Sequence, residues 1–151
     1  MMKQPIELFY FYVHEDEAWR DQLEKHLMLL QRQGYITQWH DRKVLPGANW
    51  DQAIDAHLQT AQIIVLLVSP DFIASDYCNG VEMQAALQRH AANEARVIPV
   101  IVRKCDWEGT PFGGLQALPT KAKPVKSWTD RDAAFTDIVK GIRKVVIDLN
   151  T

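Results

Sequence analysis

One glutamate, Glu82, stands in the first turn of a predicted helix, close to a charged loop that carries Arg42 and Lys43. The loop, residues 40–47, follows the second predicted strand, and a Ser-Pro turn at Ser69 follows the third. This arrangement places a single acid beside a basic loop at one edge of an α/β sheet. A lone carboxylate there can stabilise a positive charge that develops in a transition state. The structural alternative is an acid that interacts favourably with the positive end of its own helix.

Length and composition are those of a single globular domain. The 151 residues suffice for a hydrophobic core, 47% of them are apolar, 24% are charged, and the net charge is −2. This charge gives no reason to expect nucleic-acid binding, and no apolar run approaches the roughly 20 residues that cross a bilayer. Cys78 and Cys105 form neither a metal-binding pair nor a disulfide framework, which favours a cytoplasmic protein without a bound metal. We expect one domain over residues 1–151; its last predicted helix runs almost to Thr151, as in the N-terminal part of a longer protein.

Five short β-like runs alternate with helical patterns along the chain. The predicted strands are residues 6–13, 35–39, 63–69, 97–102 and 124–128. The apolar residues 63–68 are uninterrupted, which is typical of a central parallel strand that is buried on both faces. Pro99 cannot donate a hydrogen bond to a neighbouring strand, so the fourth strand is expected to bulge or to lie near an edge of the sheet.

Amphipathic patterns predict four helices, which begin near Asp16, Asn49, Asn79 and Asp130. Gly34 is a natural stop for the first helix, and the third is expected to end near Ala92. The predicted buried stripes are, in helix order, Trp19, Leu23, Leu27 and Leu30; Ile54, Leu58 and Ala61; Met83, Ala86, Leu87 and Ala91; and Phe135, Ile138, Ile142, Val145 and Leu149. Residues 104–118 are rich in glycine and are interpreted as a long loop.

The alternation of strands and helices predicts an α/β fold of the flavodoxin-like type. We expect a three-layer sandwich in which a five-stranded parallel sheet, of strand order 2-1-3-4-5, has helices on both faces. Ligands of such sheets bind outside the carboxyl ends of the strands, where the strand order reverses. Here that point lies between strands one and three. The loops that meet there are residues 12–16 and 69–77, with residues 40–47 beside them.

Several segments resemble, in order and spacing, the motifs of one protein family. Residues 6–12 are similar to its first box, and residues 41–50, with the Pro46-Gly47 pair, are similar to its second box, a mobile loop. Residues 66–72 and 75–78 resemble its third strand and the entry to the following helix. On these motifs the chain resembles a bacterial Toll/interleukin-1 receptor (TIR) domain over nearly its whole length. It departs from the family at Phe11, where a serine is usual, and at Cys78, where many of the enzymes have a tryptophan.

The resemblance implies an NAD+ nucleosidase, an enzyme that cleaves the bond between nicotinamide and ribose. Nicotinamide is cationic in NAD+ and leaves as a neutral ring, so its departure needs no general acid. The transition state resembles an oxocarbenium ion, which one carboxylate can stabilise. By resemblance, Glu82 is that catalytic residue, NAD+ is a substrate and no cofactor is needed. The products are nicotinamide and either ADP-ribose or a cyclic ADP-ribose isomer.

Six further residues are candidates for substrate binding: Tyr12, Arg42, Lys43, Trp50, Tyr77 and Cys78. Tyr12 ends the first strand, where it can stack on nicotinamide or adenine or serve as a core tyrosine. Arg42 and Lys43 can meet the phosphates or ribose of NAD+, or they are solvated loop charges. Trp50 extends a buried helical stripe, which favours core packing. For Cys78 the pattern favours a small buried hydrophobe over a nucleophile.

Two other functions fit parts of the sequence. A phosphoacceptor receiver domain has the same strand order, and Glu15, Asp16 and Lys126 superficially suit it. It also needs an aspartate at the end of the third strand, where this chain has Ser69 and Pro70. The main alternative is a non-catalytic TIR domain that acts through homotypic contacts, as a signalling scaffold or a virulence factor. A pure scaffold would have no need of Glu82.

The resemblance also implies partners. Members of the family self-associate through the same loop, and in the enzymes the stacking of domains orders this loop and completes a site across two subunits. A fused or separate sensor domain that triggers assembly follows by analogy, as does a role in bacterial anti-phage immunity. We expect no direct contact with nucleic acid or with a membrane.

Overall fold

A parallel sheet of four strands forms the centre of the computed structural model, which describes residues 4–151; residues 1–3 of the predicted domain lie outside it. The strands are β1 (Ile6–Phe11), β2 (Ile36–Trp39), β3 (Ile63–Val68) and β4 (Arg96–Ile101). Their order is β2-β1-β3-β4, which confirms the predicted order of the first four strands. All neighbouring strands are parallel, so the strand order reverses between β1 and β3 as expected.

The predicted fifth strand is wrong. Residues 124–128 contain only a single 3-10 turn, Val125–Ser127, which is closed by hydrogen bonds from Ser127 N to Pro124 O (2.9 Å) and from Trp128 N to Val125 O (3.1 Å). The place beside β4 is taken instead by Leu118, whose N–H donates to Pro99 O (2.9 Å) and whose carbonyl accepts from Ile101 N (2.8 Å). The strand that contains Pro99 is therefore the edge strand, which agrees with the meaning of a proline in a sheet.

The helices are α1 (Glu17–His26), α2 (Met28–Arg32), α3 (Trp50–Thr60), α4 (Pro70–Ala74), α5 (Val81–Ala91) and α6 (Arg131–Leu149). Two predicted helix starts are confirmed by side-chain caps: Asn49 accepts from Gln52 N and Asp130 accepts from Ala133 N. Asp16 precedes α1 but does not cap it, because its carboxylate accepts hydrogen bonds from Ser69 and Arg103. The first helical region ends before Gly34, whose φ is +82°.

Helices cover both faces of the sheet, which confirms the three-layer arrangement. Side chains of β1 alternate between two buried clusters, with Tyr10 on one face and Phe11 on the other. The first cluster receives α1, α2 and α6 through Leu23, Leu27, Leu30, Phe135, Ile138 and Ile142. The second receives α3, α4 and α5 through Leu58, Phe72, Met83 and Ala86.

Two residues of the predicted stripes are exposed rather than buried. Ala91 lies at the end of α5, and Leu149, which is 37% exposed, lies in the last turn of α6. A helix of 19 residues is longer than a strand of six, so the end of α6 projects beyond the sheet. In α6, Val139 and Val146 are buried instead of Leu149. Within residues 4–151, none of the helices combines the length and the apolar character that a bilayer span requires.

Candidate functional site

A small aromatic cavity opens at the carboxyl edge of the sheet, where the strand order reverses. Its volume is about 20 Å³, which is room for roughly one water molecule. It is lined by Phe9, Tyr10, Phe11, Tyr12, Asp41, Trp50, Ile54 and Tyr77. Three of the predicted substrate-binding residues, Tyr12, Trp50 and Tyr77, are therefore brought together here. In this conformation the cavity is too small for a nicotinamide ring, so ligand entry requires its walls to move.

Tyr12 closes one side of the cavity. It follows β1 directly, and its phenol donates a hydrogen bond to the Asp41 carboxylate at 3.0 Å. The guanidinium carbon of Arg20 lies 5.8 Å from the centre of the Tyr12 ring, close enough for a cation–π contact. Burial, and then the charge of Asp41, raises the pKa of the Tyr12 phenol well above its usual value, so the phenol stays a hydrogen-bond donor.

Tyr77 lies among acidic side chains. Its ring packs edge-on against Phe11, with ring centres 5.3 Å apart. Burial raises the pKa of the Tyr77 phenol first, and the negative charges of Asp41, Glu82 and Asp51 raise it further. The carboxylates of these three residues thus lie near enough to the Tyr77 phenol to raise its pKa. Acidic groups therefore surround the Tyr77 side of the cavity, whereas Arg20 lies over Tyr12 on its other side.

Glu82 is half-buried in the first turn of α5. Its carboxylate has no hydrogen-bond or ion-pair partner within residues 4–151, and the residue does not line the cavity. The residue is presented by a tight connection: a Cβ added to Gly80 would lie 2.7 Å from Asp76 O and 3.4 Å from Glu82 Oε2. Gly80 therefore allows the preceding turn to approach α5 closely, which leaves the carboxylate beside Tyr77.

Arg42 and Lys43 do not line the cavity. The Arg42 guanidinium pairs with Glu17 of α1, with Nε–Oε1 and Nη2–Oε2 distances of 2.5 and 2.6 Å. The Lys43 ammonium donates to the carbonyl of Gln38 at 2.6 Å. Arg42 therefore ties the start of the loop to α1, and Lys43 ties it to the backbone of β2. Their role in substrate binding stays a prediction that requires them to leave these partners.

Trp50 and Cys78 occupy opposite environments. Trp50 is the first residue of α3 and is 40% exposed at the mouth of the cavity, so the interpretation as a core residue is wrong. Cys78 is 1% exposed within the second hydrophobic cluster, and burial raises the pKa of its thiol. It is a small buried hydrophobe, as the sequence favoured, and a poor nucleophile in this environment.

A buried ionic cluster supports the same edge of the sheet. Asp16, which has no exposed surface, accepts hydrogen bonds from Ser69 at the end of β3 and from Arg103 after β4. Arg103 also pairs with Asp71. Burial raises the pKa of Asp16 in spite of these partners. The cluster ties together the segments that follow β1, β3 and β4 at the carboxyl edge of the sheet.

Sequence reasoning missed two acids of the site, Asp41 and Asp51. Asp41 follows β2 almost directly, and its position at the carboxyl edge of the sheet was the available signal. Asp51 is the second residue of α3, one position after Trp50, and its proximity to Tyr77 depends on how α3 packs. Within the described part of the chain, no group of three or more His, Cys, Asp or Glu side chains is placed to hold a metal ion.

The chain is similar in sequence to known proteins. Residues 9–139 match the family model described as "TIR domain". The "Uncharacterized protein y4lF" of Sinorhizobium fredii (strain NBRC 101917 / NGR234) is 53% identical over 137 residues, which cover 91% of this chain and 42% of that protein. The chain thus spans less than half the length of this relative.

A solved structure has the same fold. It is the TIR domain of the Toll-related receptor TRR-2 from the lower metazoan Hydra magnipapillata, which superposes with a TM-score of 0.61. The alignment covers 90% of this chain and 97% of the other at 21% sequence identity. At this identity the likeness concerns the fold alone.

Proposed function

Since the chain belongs to the TIR domain family, we propose that it is an NAD+ nucleosidase in which Glu82 is the catalytic residue. The observation that supports the proposal is the half-buried carboxylate of Glu82, which has no partner within residues 4–151 and whose charge acts on Tyr77, a residue that lines the aromatic cavity. A carboxylate without a partner is free to interact with a ligand.

The chemistry of NAD+ cleavage fits these residues. The nicotinamide ring is cationic before the bond breaks, and the ribose becomes oxocarbenium-like as it breaks. Glu82 stabilises that charge, and Asp41 and Asp51 make the surrounding potential negative. Trp50 and Tyr77 offer aromatic faces to the leaving ring. The departing nicotinamide is neutral, so the acidic site does not retain it.

The closed cavity favours activation by self-assembly. Its volume of about 20 Å³ excludes NAD+ until the loop that contains Asp41 moves. Two apolar side chains near the site are unusually exposed: Leu45 on the loop (74%) and Val81 beside Glu82 (77%). A second copy of the domain that buries Leu45 and Val81 would draw the loop away from Tyr12. We propose that TIR–TIR contacts of this kind open and complete the site.

The same two observations favour one second candidate, a non-catalytic TIR domain. A closed cavity together with exposed Leu45 and Val81 is what a homotypic interaction module would also show. In that function the role of Glu82 would be limited to its favourable interaction with the positive end of α5. The partners would be other TIR domains in a signalling scaffold or a virulence factor.

The wider role extends the proposal by analogy with bacterial proteins of this type. The homologous protein is more than twice as long as the matched region, so a sensor domain on the same chain or on a separate one is proposed as the trigger. Assembly then depletes NAD+, or converts it to a cyclic ADP-ribose signal, in anti-phage immunity. NAD+ is a cytoplasmic metabolite, and the proposed location is the cytoplasm.

The deciding experiment measures NAD+ turnover and identifies the products, over a wide range of protein concentration. Glu82→Gln keeps the shape of the side chain but removes its charge, and we expect it to lower turnover by about 100-fold or more. Glu94→Gln is the matched control, since Glu94 lies before β4, at the opposite edge of the sheet. Circular dichroism checks that both variants fold. No turnover by the wild type under assembling conditions would favour the scaffold, and equal turnover by Glu82→Gln would exclude Glu82 as the catalytic residue.

A further inference from the structure

A second, larger cavity lies on the far edge of the sheet. It is a groove of about 850 Å³ between the outer side of β4, the second half of α6 and residues 114–121. We call it the β4 groove. This volume is within the range of pockets that hold small organic ligands, and it is far larger than the cavity near Tyr12. None of the residues assigned to NAD+ cleavage lines it.

Positively charged side chains outnumber acidic ones in the lining of the β4 groove. Lys121, Lys140, Arg143 and Lys144 line it, and none of these four has an ion-pair partner within residues 4–151. The acid of the lining, Asp137, accepts hydrogen bonds from the N–H of Thr120 at 2.6 Å and from its hydroxyl at 2.8 Å, and it provides one negative charge against these four cations. Four unpaired cations around one concave surface favour an anionic ligand.

The backbone at this edge cannot bind an added β-strand. Of the outward-facing positions of β4, the N–H of Val97 donates to His90 Nδ1 at 3.0 Å, and the N–H of Ile101 donates to Leu118 O at 2.8 Å. Pro99, between them, has no N–H. Burial and the nearby Arg96 lower the pKa of His90, so its ring stays neutral and keeps Nδ1 as an acceptor. Strand addition by a peptide needs free donors along the edge, so the groove is suited to a ligand that side chains hold.

The floor of the groove is apolar although its rim is cationic. Its apolar lining residues are Val97, Ile98, Leu115, Ala117, Leu118 and Val145. The wall that carries Lys121 is held in an unfavourable backbone conformation, because Lys121 (φ +62°) and Ala122 (φ +55°) both adopt the left-handed region without being glycine. Strain of this kind persists where surrounding structure imposes it, and it concentrates at binding sites.

We propose that the β4 groove binds a nucleoside polyphosphate. The planar base lies on the apolar floor, and Lys121, Lys140, Arg143 and Lys144 hold the phosphates. The combination of a flat apolar group with two or more adjacent negative charges matches both parts of the groove, whereas a simple anion would leave its floor uncovered. The site is independent of NAD+ cleavage, since it shares no residue with the cavity near Tyr12.

Isothermal titration calorimetry of the whole chain with ATP, pyrophosphate and adenosine tests this assignment. We expect saturable binding of ATP, weaker binding of pyrophosphate, and weaker binding still of adenosine. Lys140→Glu/Lys144→Glu should raise the dissociation constant for ATP at least about tenfold, the loss expected when charged contacts are removed. Lys25→Glu/Arg32→Glu, which makes the same change of charge on α1 and α2, should leave it unaltered. Glu82→Gln should bind ATP like the wild type, so this test stands apart from the test of catalysis.

Three results would overturn the proposal. The first is no saturable binding of ATP up to about 1 mM. The second is an equal loss of ATP binding in the groove variant and in the control variant, which would indicate a general effect of charge. The third is a groove variant that binds ATP with the affinity of the wild type, which would place the ATP site elsewhere on the chain.

Discussion

The phenol of Tyr12 donates a 3.0 Å hydrogen bond to the carboxylate of Asp41, and this bond joins the end of β1 to the loop that follows β2. Both residues line the cavity of the candidate site. Asp41 is one of the three carboxylates whose charge raises the pKa of Tyr77, and Tyr12 is one of the aromatic residues that form the wall of the cavity. The hydrogen bond therefore joins two walls of the cavity.

Tyr12→Phe removes this hydrogen bond and keeps the aromatic ring. A hydrogen bond of this kind contributes about 1 kcal/mol net, which corresponds to an opening equilibrium that is roughly fivefold more favourable. We expect the amides of residues 43–48 to exchange faster with deuterium by about that factor, measured by mass spectrometry. Tyr35→Phe is the control, because Tyr35 is 48% exposed and makes no side-chain hydrogen bond among residues 4–151. Unchanged exchange in Tyr12→Phe would show that other contacts, such as Arg42 with Glu17, hold the loop.

Arg103→Met leaves the carboxylate of Asp16 buried without its cation. We expect the free energy of unfolding at pH 7 to fall by about 2–3 kcal/mol, because an uncompensated buried charge is costly. Burial already raises the pKa of Asp16 above its ordinary value of 3.8, and the loss of Arg103 raises it further. A raised carboxyl pKa contributes stability below the unfolded pKa, and this contribution is lost as pH rises through the folded pKa. The destabilisation should therefore be smaller near pH 4 than at pH 7.

The double variant Asp16→Asn/Arg103→Met separates charge from packing. Asparagine cannot ionise here, so the pH dependence seen in Arg103→Met should disappear, whereas any loss of packing around Arg103 should remain. Urea denaturation at pH 4, 5.5 and 7 provides the comparison. If the single and double variants show the same pH dependence, Asp16 is not the group that titrates.

Gly113→Ala and Gly114→Ala form a matched pair in the long loop. A Cβ on Gly113 would overlap the backbone carbonyl of Glu108, whereas a Cβ on Gly114 would meet no atom within 4 Å. Because a backbone group cannot rotate aside, we expect Gly113→Ala to lower the free energy of unfolding by about 2 kcal/mol. Gly114→Ala should change it by less than about 0.5 kcal/mol. Equal effects in urea denaturation would mean that the loop adjusts to both side chains.

The elements with strong local signals were predictable from the sequence. The continuous apolar run of β3 and the capping residues Asn49 and Asp130 need no knowledge of distant contacts, and each was found. The fifth strand was misjudged because residues 124–128 have the composition of a strand, but the place beside β4 is filled by Leu118, about seven residues earlier in the chain. Which of the two segments lies beside β4 depends on tertiary packing, and the spacing of apolar residues in the sequence does not predict it.

The sequence predicts where in the fold the candidate site lies, but it does not predict which side chains contact one another there. The strand order predicts its position, and Tyr12 and Tyr77 line a cavity at that edge of the sheet. For Arg42 and Lys43 the sequence leaves two alternatives, contact with the substrate or solvated loop charges. The structure pairs Arg42 with Glu17 on α1, a partner 25 residues away in sequence. Side-chain direction in a loop depends on such partners, so sequence position alone does not determine it.

Leu45→Asp tests whether the exposed loop is the self-association surface on which the proposed activation rests. Leu45 is 74% exposed and lies on the same loop as Asp41, so a charge there should prevent a second copy from burying it. We expect the variant to stay monomeric in sedimentation velocity at concentrations where the wild type associates. Its NAD+ turnover per molecule should also stop rising with protein concentration. Leu29→Asp is the matched control, since Leu29 is 57% exposed on α2. A Leu45→Asp variant that still associates, or a Leu29→Asp variant that loses association equally, would place the contact elsewhere.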